Sequence, residues 1–190
     1  ISAIDPEDCD ELSGCVRKLT EQGVVVVVSG GNEGSNSGRR PGFAPEAITV
    51  GALDYFNRVT SFSSDKTVIN TGTSRTYDKP DVWAYGQKVN AAKFDPAGYE
   101  HKPNHELATQ KNGTSMAAPH VSGVAALLLQ EAKSKGVSLN AAQMKKILQA
   151  SADPLQTGNP YVRSEGGAMN PNKALDYLRK NLDKIKKRLF

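Results

Sequence analysis

Residues 113–123 read Gly-Thr-Ser-Met-Ala-Ala-Pro-His-Val-Ser-Gly, and they lead into an apolar segment that ends near residue 131. Its alanine, valine and leucine content predicts a buried helix over 115–131. The first turn of a helix carries unpaired N–H groups and the positive end of the helix dipole. An oxyanion forming beside Ser115 would be stabilised there, so Ser115 is a candidate nucleophile. A lone serine at a helix start is more often only a cap.

A second informative segment lies upstream, where five consecutive valines, residues 24–28, precede Ser29-Gly30-Gly31-Asn32-Glu33-Gly34. A β-branched apolar run predicts a strand buried on both faces of a parallel sheet. The glycines leave room for a substrate backbone, and Asn32 offers an amide donor. A simple turn is the plainer alternative. A phosphate-binding loop is disfavoured because no Lys-Ser/Thr pair follows and no helix begins after Gly34.

Together the two segments resemble the serine segment and the oxyanion-hole segment of the subtilisin-like serine proteases, the subtilases. Further similar segments follow the family's order, and Tyr85 departs from them where the family has proline. The resemblance extends over nearly the whole chain, so residues 1–190 are interpreted as the C-terminal part of one catalytic domain. The further segments are 47–52, 61–64, 79–86 and 166–175.

The resemblance implies a serine endopeptidase that hydrolyses peptide bonds through an acyl-enzyme. Ser115 would be the nucleophile, and Asn32 would form the oxyanion hole with the Ser115 backbone N–H. The partners implied are a peptide or protein substrate and an N-terminal segment of the same domain. The residues implied to bind the substrate are Ser29, Gly30, Gly31, Gly113 and Thr114.

A general base for Ser115 is missing from the sequence. The family order is Asp, His, Ser, but no His-Gly-Thr-His, Asp-Ser-Gly or Asp-Thr-Gly segment occurs here. His120 lies five residues after Ser115, about 140° around the helix, so it is interpreted as a packed structural histidine. His101 and His105 are predicted to lie in a surface loop. We therefore expect the Asp and His upstream of Ile1, and no activity from this chain alone.

A different class of function stays open, namely a non-catalytic, protease-like domain that acts as a binding or scaffolding partner. The upstream sequence discriminates the two, because only a protease needs the Asp and the His there. The resemblance also favours a secreted or cell-envelope location.

The sequence does not decide whether the protein binds a metal cofactor or which substrate side chain the pocket prefers. Subtilases commonly bind calcium, but the chain has no Asp-x-Asp-x-Asp-Gly cage and no metal site is placed. Arg39 and Arg40 could reach the pocket floor and favour an acidic substrate residue, although paired loop arginines are usually solvated. The scattered carboxylates are Asp54, Asp65, Asp78, Asp81 and Asp95.

Alternating strands and helices predict an α/β, three-layer subtilisin-like fold with a mainly parallel sheet, incomplete in this chain. Segments 71–79 and 94–110 are expected to be loops, and Cys9 and Cys15 to be buried, unpaired thiols of the first helix. The predicted helices are 6–22, 115–131, one from Asn140 to about Ala152 and a terminal amphipathic one over 170–190; the predicted strands are 24–28, 47–52, 59–62 and 88–92.

Charge and hydropathy argue against two classes of partner. The net charge of +4 lacks the basic stripe with interleaved aromatics that is typical of nucleic-acid binding. No apolar run reaches membrane-spanning length. The terminal helix combines a leucine stripe with lysines such as Lys180 and Lys184, and we expect it to dock on the domain core or on a partner rather than on an anionic membrane.

Overall fold

The structure is a computed structural model that describes residues 9–38, 41–42, 44–70, 75–93, 108–156 and 166–187. Its helices are α1 (Cys9–Glu21), α2 (Thr114–Ser134), α3 (Ala141–Ala150) and α4 (Pro171–Lys186). Its strands are β1 (Val27–Ser29), β2 (Ile48–Leu53), β3 (Lys66–Asn70), β4 (Arg75–Lys79), β5 (Val82–Tyr85), β6 (Val89–Ala92) and β7 (Ala108–Lys111).

The centre of the fold is a parallel sheet with strand order β1-β2-β5. All six residues of β2 are buried, as expected for the middle strand of a sheet covered on both faces. Beyond β5, the Trp83 N–H donates to the Gly167 carbonyl and the Met169 N–H donates to the Trp83 carbonyl. The outer edge of β5 is therefore covered, whereas β1 has β2 as its one strand partner among the described residues.

Helices cover both faces of this sheet, which makes three layers. Successive strand residues point to opposite faces. Val28 packs with Val16 of α1 in one cluster, while Val27 joins the main core with α2, α3 and α4. The predicted α/β architecture with a mainly parallel sheet is confirmed.

A buried ion pair fixes the start of β5 against β2. The Asp81 Oδ2 atom lies 2.6 Å from Lys79 Nζ and accepts the Thr49 N–H at 2.7 Å. Lys145 Nζ, on α3, lies 3.1 Å from Asp81 Oδ1. Burial lowers the pKa of Lys79 to about 8, against the attraction of Asp81. Because both charges are buried and hydrogen-bonded to each other, removal of either partner alone would leave an uncompensated buried charge.

Several strand predictions are wrong. The run 24–28 is a strand only from Val27; Val24, which is 44% exposed, belongs to the turn after α1, where its N–H donates to the Leu19 carbonyl oxygen. No strand forms over 59–62; Val59 makes an isolated bridge to Leu53. The expected loops contain β4, which pairs antiparallel with β3, and β7, which pairs with β6. The sequence interpretation also missed β5.

The helix predictions agree better with the structure. Asn140 and Gln143 cap α3 reciprocally, and the Asn170 side chain accepts the Lys173 N–H at the start of α4. Packing of α4 on α2 and α3 confirms that the terminal helix docks on the core. Cys15 is an exposed free thiol, contrary to expectation, and the side chain of Cys9 lies outside the described part. No helix in the described ranges is both long enough and apolar enough to cross a membrane.

Candidate active site

The carboxyl end of β1 and the first residue of α2 meet at the candidate site, although they lie more than 80 residues apart in sequence. The Gly31 N–H donates to Thr114 Oγ1 at 3.2 Å, and the Thr114 N–H donates to Asn32 Oδ1 at 2.9 Å. Parallel strands present their carboxyl ends at one edge of the sheet, where α/β folds place their sites. The two segments singled out in the sequence are thus brought together.

The side chain of Asn32 has a defined orientation. Its Oδ1 accepts both the Thr114 N–H and the Thr114 hydroxyl, the latter at 3.1 Å. A backbone N–H can only donate, so the atom that it meets is the amide oxygen rather than the nitrogen. Within the described part of the chain, Nδ2 has no acceptor. This NH₂ group is therefore available to an incoming ligand.

Ser115 is exposed on the first turn of α2. The Met116 N–H is satisfied by the Gly113 carbonyl at 3.0 Å, and the Thr114 N–H by Asn32. The Ser115 N–H has no acceptor among the residues that the structure describes. Two donors, this N–H and Asn32 Nδ2, thus lie free beside an exposed hydroxyl.

Three glycines in these two segments occupy positions where a side chain would be restricted by space or by backbone conformation. Gly31 has φ +114°, and a Cβ there would lie 2.5 Å from Glu33 Oε2 and 2.9 Å from Ser64 Oγ. Gly113 has φ +152°, and a Cβ there would lie 3.4 Å from Asn32 Nδ2. Gly30 is packed against the β2 backbone, since its Cβ would meet the Val50 carbonyl oxygen at 3.2 Å. Backbone conformation favours glycine at Gly31 and Gly113, and space is restricted at Gly30 and Gly31, whereas a Cβ at Gly113 would make ordinary contacts.

The other predicted substrate-binding residues differ in exposure. Ser29 is half-buried at the end of β1, opposite Val50 in the register of the sheet. Thr114 is 1% exposed, and its hydroxyl contacts Gly31 and Asn32. Sequence reasoning did not assign Thr114 this positioning contact, because no local pattern links it to a residue 82 positions away. A direct role for either residue in binding substrate stays a prediction.

His120 is exposed, so the prediction of a packed histidine is wrong. Its Nδ1 atom lies 2.9 Å from the Met116 carbonyl oxygen, and its ring centroid lies 6.3 Å from that of Tyr85. These contacts occupy it on the face of α2 turned away from Ser115, as the helical rotation predicts. His101, His105, Arg39 and Arg40 lie outside the described residues.

The scattered carboxylates named in the sequence do not cluster into a metal site within the described ranges. No group of three His, Cys, Asp or Glu residues is close enough there to hold a metal ion. Asp54 is paired with Arg58, and Asp81 with Lys79 and Lys145. One oxygen of the buried Asp65 carboxylate, Oδ2, has no hydrogen-bond partner. Asp95 lies outside the described residues, and calcium is not assigned a site.

Comparison with known proteins identifies the family. The subtilase (peptidase S8) family model matches residues 3–175. The chain belongs to the subtilase family. It is 35% identical to pyrolysin of Pyrococcus furiosus, over 85% of this chain and 12% of pyrolysin. It is 32% identical to the serine protease AprX of Bacillus subtilis, over 88% of this chain and 39% of AprX.

Solved structures agree with this assignment. The patellamide maturation protease PatA superposes with a TM-score of 0.69 at 27% identity, over 89% of this chain and 56% of that one. The prenylagaramide maturation protease PagA gives a TM-score of 0.69 at 28% identity, over 88% and 55%. The subtilase chain described here therefore spans only a part of the relatives that it matches.

The contact between Thr114 and the end of β1 predicts a stability effect. In Thr114→Val, the partly buried Gly31 N–H loses its acceptor, which should lower the free energy of unfolding by about 1 to 3 kcal/mol. Thr114→Ser keeps the oxygen and is the matched control. Urea unfolding of both variants measures the difference, and equal stabilities for Val and Ser would contradict the importance of the hydroxyl.

Proposed function

We propose that this chain is the C-terminal part of the catalytic domain of a serine endopeptidase. The observation that carries the proposal is the exposed Ser115 hydroxyl beside two hydrogen-bond donors with no acceptor in the described structure, Asn32 Nδ2 and the Ser115 N–H. Membership of the subtilase family supports the same assignment.

In this proposal, Ser115 Oγ attacks the carbonyl carbon of the scissile peptide bond and gives up its proton to a base. The carbonyl oxygen becomes an oxyanion, and Asn32 Nδ2 and the Ser115 N–H donate to it. The carbon–nitrogen bond then breaks, and the leaving amine takes the proton from the base. Water attacks the resulting acyl-enzyme ester by the same steps, which frees the acid product and Ser115.

Asn32 suits this role because its amide oxygen is already engaged. Thr114 holds Oδ1, so rotation of the amide away from the site would break two hydrogen bonds. The donor is therefore oriented before the oxyanion forms and need not reorganise during the reaction, which is the source of most oxyanion-hole stabilisation.

A segment N-terminal to this chain would supply the Asp and the His. Three features support it: His120 is directed away from Ser115, the outer edge of β1 has no strand partner in the described part, and α2 exposes two leucines. Leu127 is 50% and Leu129 36% exposed, and a packed neighbour would bury their apolar surface. A further strand and helix from upstream would cover both surfaces.

The pocket for the residue before the scissile bond would be formed at the end of β1 by Ser29, Gly30 and Gly31. Gly31 is half-buried and carries no side-chain bulk, which suits close pairing with an extended polypeptide, while the buried Gly30 allows the chain to pack closely on β2. A second candidate function, a non-catalytic binding domain, is favoured by one observation, the lack of any base beside Ser115 in the described residues. A non-catalytic binding domain would retain the pocket but would require no upstream Asp and His.

Labelling with a fluorophosphonate distinguishes the serine endopeptidase from the non-catalytic binding domain. Such a probe reacts only with an activated serine, so it should label Ser115 when the upstream segment is present. Residues 1–190 alone should not react and should aggregate or stay partly folded, because apolar surface is exposed. Peptide mass spectrometry locates the label, and Ser115→Ala is the control. Labelling of the isolated, monomeric chain would refute the need for the upstream segment, and no labelling in either form would favour the binding domain.

Asn32 gives a second test. In the protein with its upstream segment, Asn32→Leu should lower kcat by about 10²–10³ and leave KM nearly unchanged, because the amide acts only when the oxyanion forms. This magnitude is the one known for subtilisin, a member of the same family. Asn181→Leu, which makes the same change of side chain on α4, is the control. Steady-state kinetics that show an unchanged kcat would remove Asn32 from the mechanism.

A further inference from the structure

Four rings form a series of edge-to-face contacts on the surface, from Phe56 through Tyr55 and Tyr85 to His120. We call this series the aromatic ridge. The ring centroids are 5.7 Å apart for Phe56 and Tyr55, 6.5 Å for Tyr55 and Tyr85, and 6.3 Å for Tyr85 and His120, all edge to face. These are favourable geometries for aromatic pairs. The ridge is therefore an ordered surface.

The turn that carries the outer two rings is held rigidly. Asp54 Oδ1 accepts the N–H groups of Phe56 and Arg58 at 2.8 and 2.9 Å, and Asp54 Oδ2 accepts Arg58 Nε at 2.7 Å. The Arg58 guanidinium lies 5.0 Å from the centre of the Phe56 ring. These contacts fix the turn without burying its rings, since Tyr55 is 80% and Phe56 66% exposed.

The ridge is continuous with the segment that carries Ser115. Tyr85 precedes Gly86, whose carbonyl oxygen accepts the Gly113 N–H at 2.8 Å. His120, at the far end of the ridge, lies on the face of α2 turned away from Ser115, so the ridge approaches the candidate site through Tyr85. A ligand that is bound across Ser115 and extends over Gly113 and Gly86 would therefore meet Tyr85 first.

The order of strands indicates which part of a substrate reaches that side. The proposed pocket for the residue before the scissile bond lies at the end of β1, whereas the ridge lies beyond the ends of β2 and β5: Tyr55 and Phe56 are in the turn after β2, and Tyr85 is the last residue of β5. Residues 113 and 114 bridge the two ends, since Gly113 bonds Gly86 and Thr114 bonds Asn32. A polypeptide whose acyl side occupies the β1 end would direct its leaving-group side toward β5.

We propose that the aromatic ridge is a secondary substrate-binding surface, which takes an apolar or aromatic side chain from the leaving-group side of a polypeptide substrate. The proposal rests on the proposed function, because that function sets the direction of the bound chain. Rigid, exposed rings suit it, since they lose little side-chain entropy when a ligand covers them.

The test uses the Ser115→Ala form of the protein with its upstream segment, so that binding is measured without hydrolysis. Peptides carry phenylalanine or serine at the third to fifth positions after the scissile bond. We expect the phenylalanine peptides to bind about tenfold more tightly, a factor within reach of one aromatic contact and its buried area. The Tyr55→Ser, Phe56→Ser double variant should abolish this preference and leave binding of the serine peptides unchanged. Leu19→Ser, which removes another exposed apolar side chain, should change neither.

Several outcomes would overturn the proposal. They are an equal affinity of both peptide sets, a preference that survives the double variant, and self-association of the protein through Tyr55 and Phe56. Hydrolysis of the same peptides by the protein that retains Ser115 tests the proposed function separately. A phenylalanine preference that depends on Tyr55 and Phe56 without any hydrolysis would show that the ridge binds apolar side chains, but it would contradict the assignment of the ridge to the leaving-group side of a protease substrate.

Discussion

The candidate site depends on one contact, in which the first residue of α2 is hydrogen-bonded to the end of β1. Thr114 donates its N–H and its hydroxyl to the Asn32 amide oxygen, and its hydroxyl oxygen accepts the Gly31 N–H. The contact sets the position of the helix start, and therefore of Ser115, and it also sets the orientation of the Asn32 amide. Because Thr114 is buried, these hydrogen bonds exchange little with water and the geometry is well specified.

The rest of the fold supports this contact from both sides. The buried Asp81 carboxylate links β5 to β2 and, through Lys145, to α3, while the Gly113 N–H bonds the Gly86 carbonyl just after β5. On the β1 side, by contrast, the sheet edge has no strand partner among the described residues. The half of the site toward β5 is thus well supported, and the half in which a base is required is where the proposed upstream segment would pack.

The sequence predicted what local chemistry determines and missed what distant packing determines. The helix of Ser115 and the capping of α3 by Asn140 follow from composition and short-range hydrogen bonds, and both are confirmed. β4 pairs with β3 in antiparallel register, although both sequences are largely polar and carry no strong strand pattern. The exposure of the His120 side chain depends on which elements pack beside α2, and the sequence of residues 113–123 does not indicate it. Thr114 is the clearest example of a contact that the sequence could not predict, because its hydrogen-bond partners lie 82 and 83 residues away.

A crystal structure of the protein with its upstream segment, bound to a peptidyl boronic acid, tests the central claim most directly. Boron bonded to Ser115 Oγ is tetrahedral, so one boronate oxygen occupies the position of the oxyanion. The account predicts that Asn32 Nδ2 and the Ser115 N–H both lie about 2.7–3.1 Å from that oxygen. It also predicts that Thr114 still donates to Asn32 Oδ1. An Asn32 amide released from Thr114, or a boronate oxygen outside hydrogen-bonding distance of Asn32 Nδ2, would contradict it.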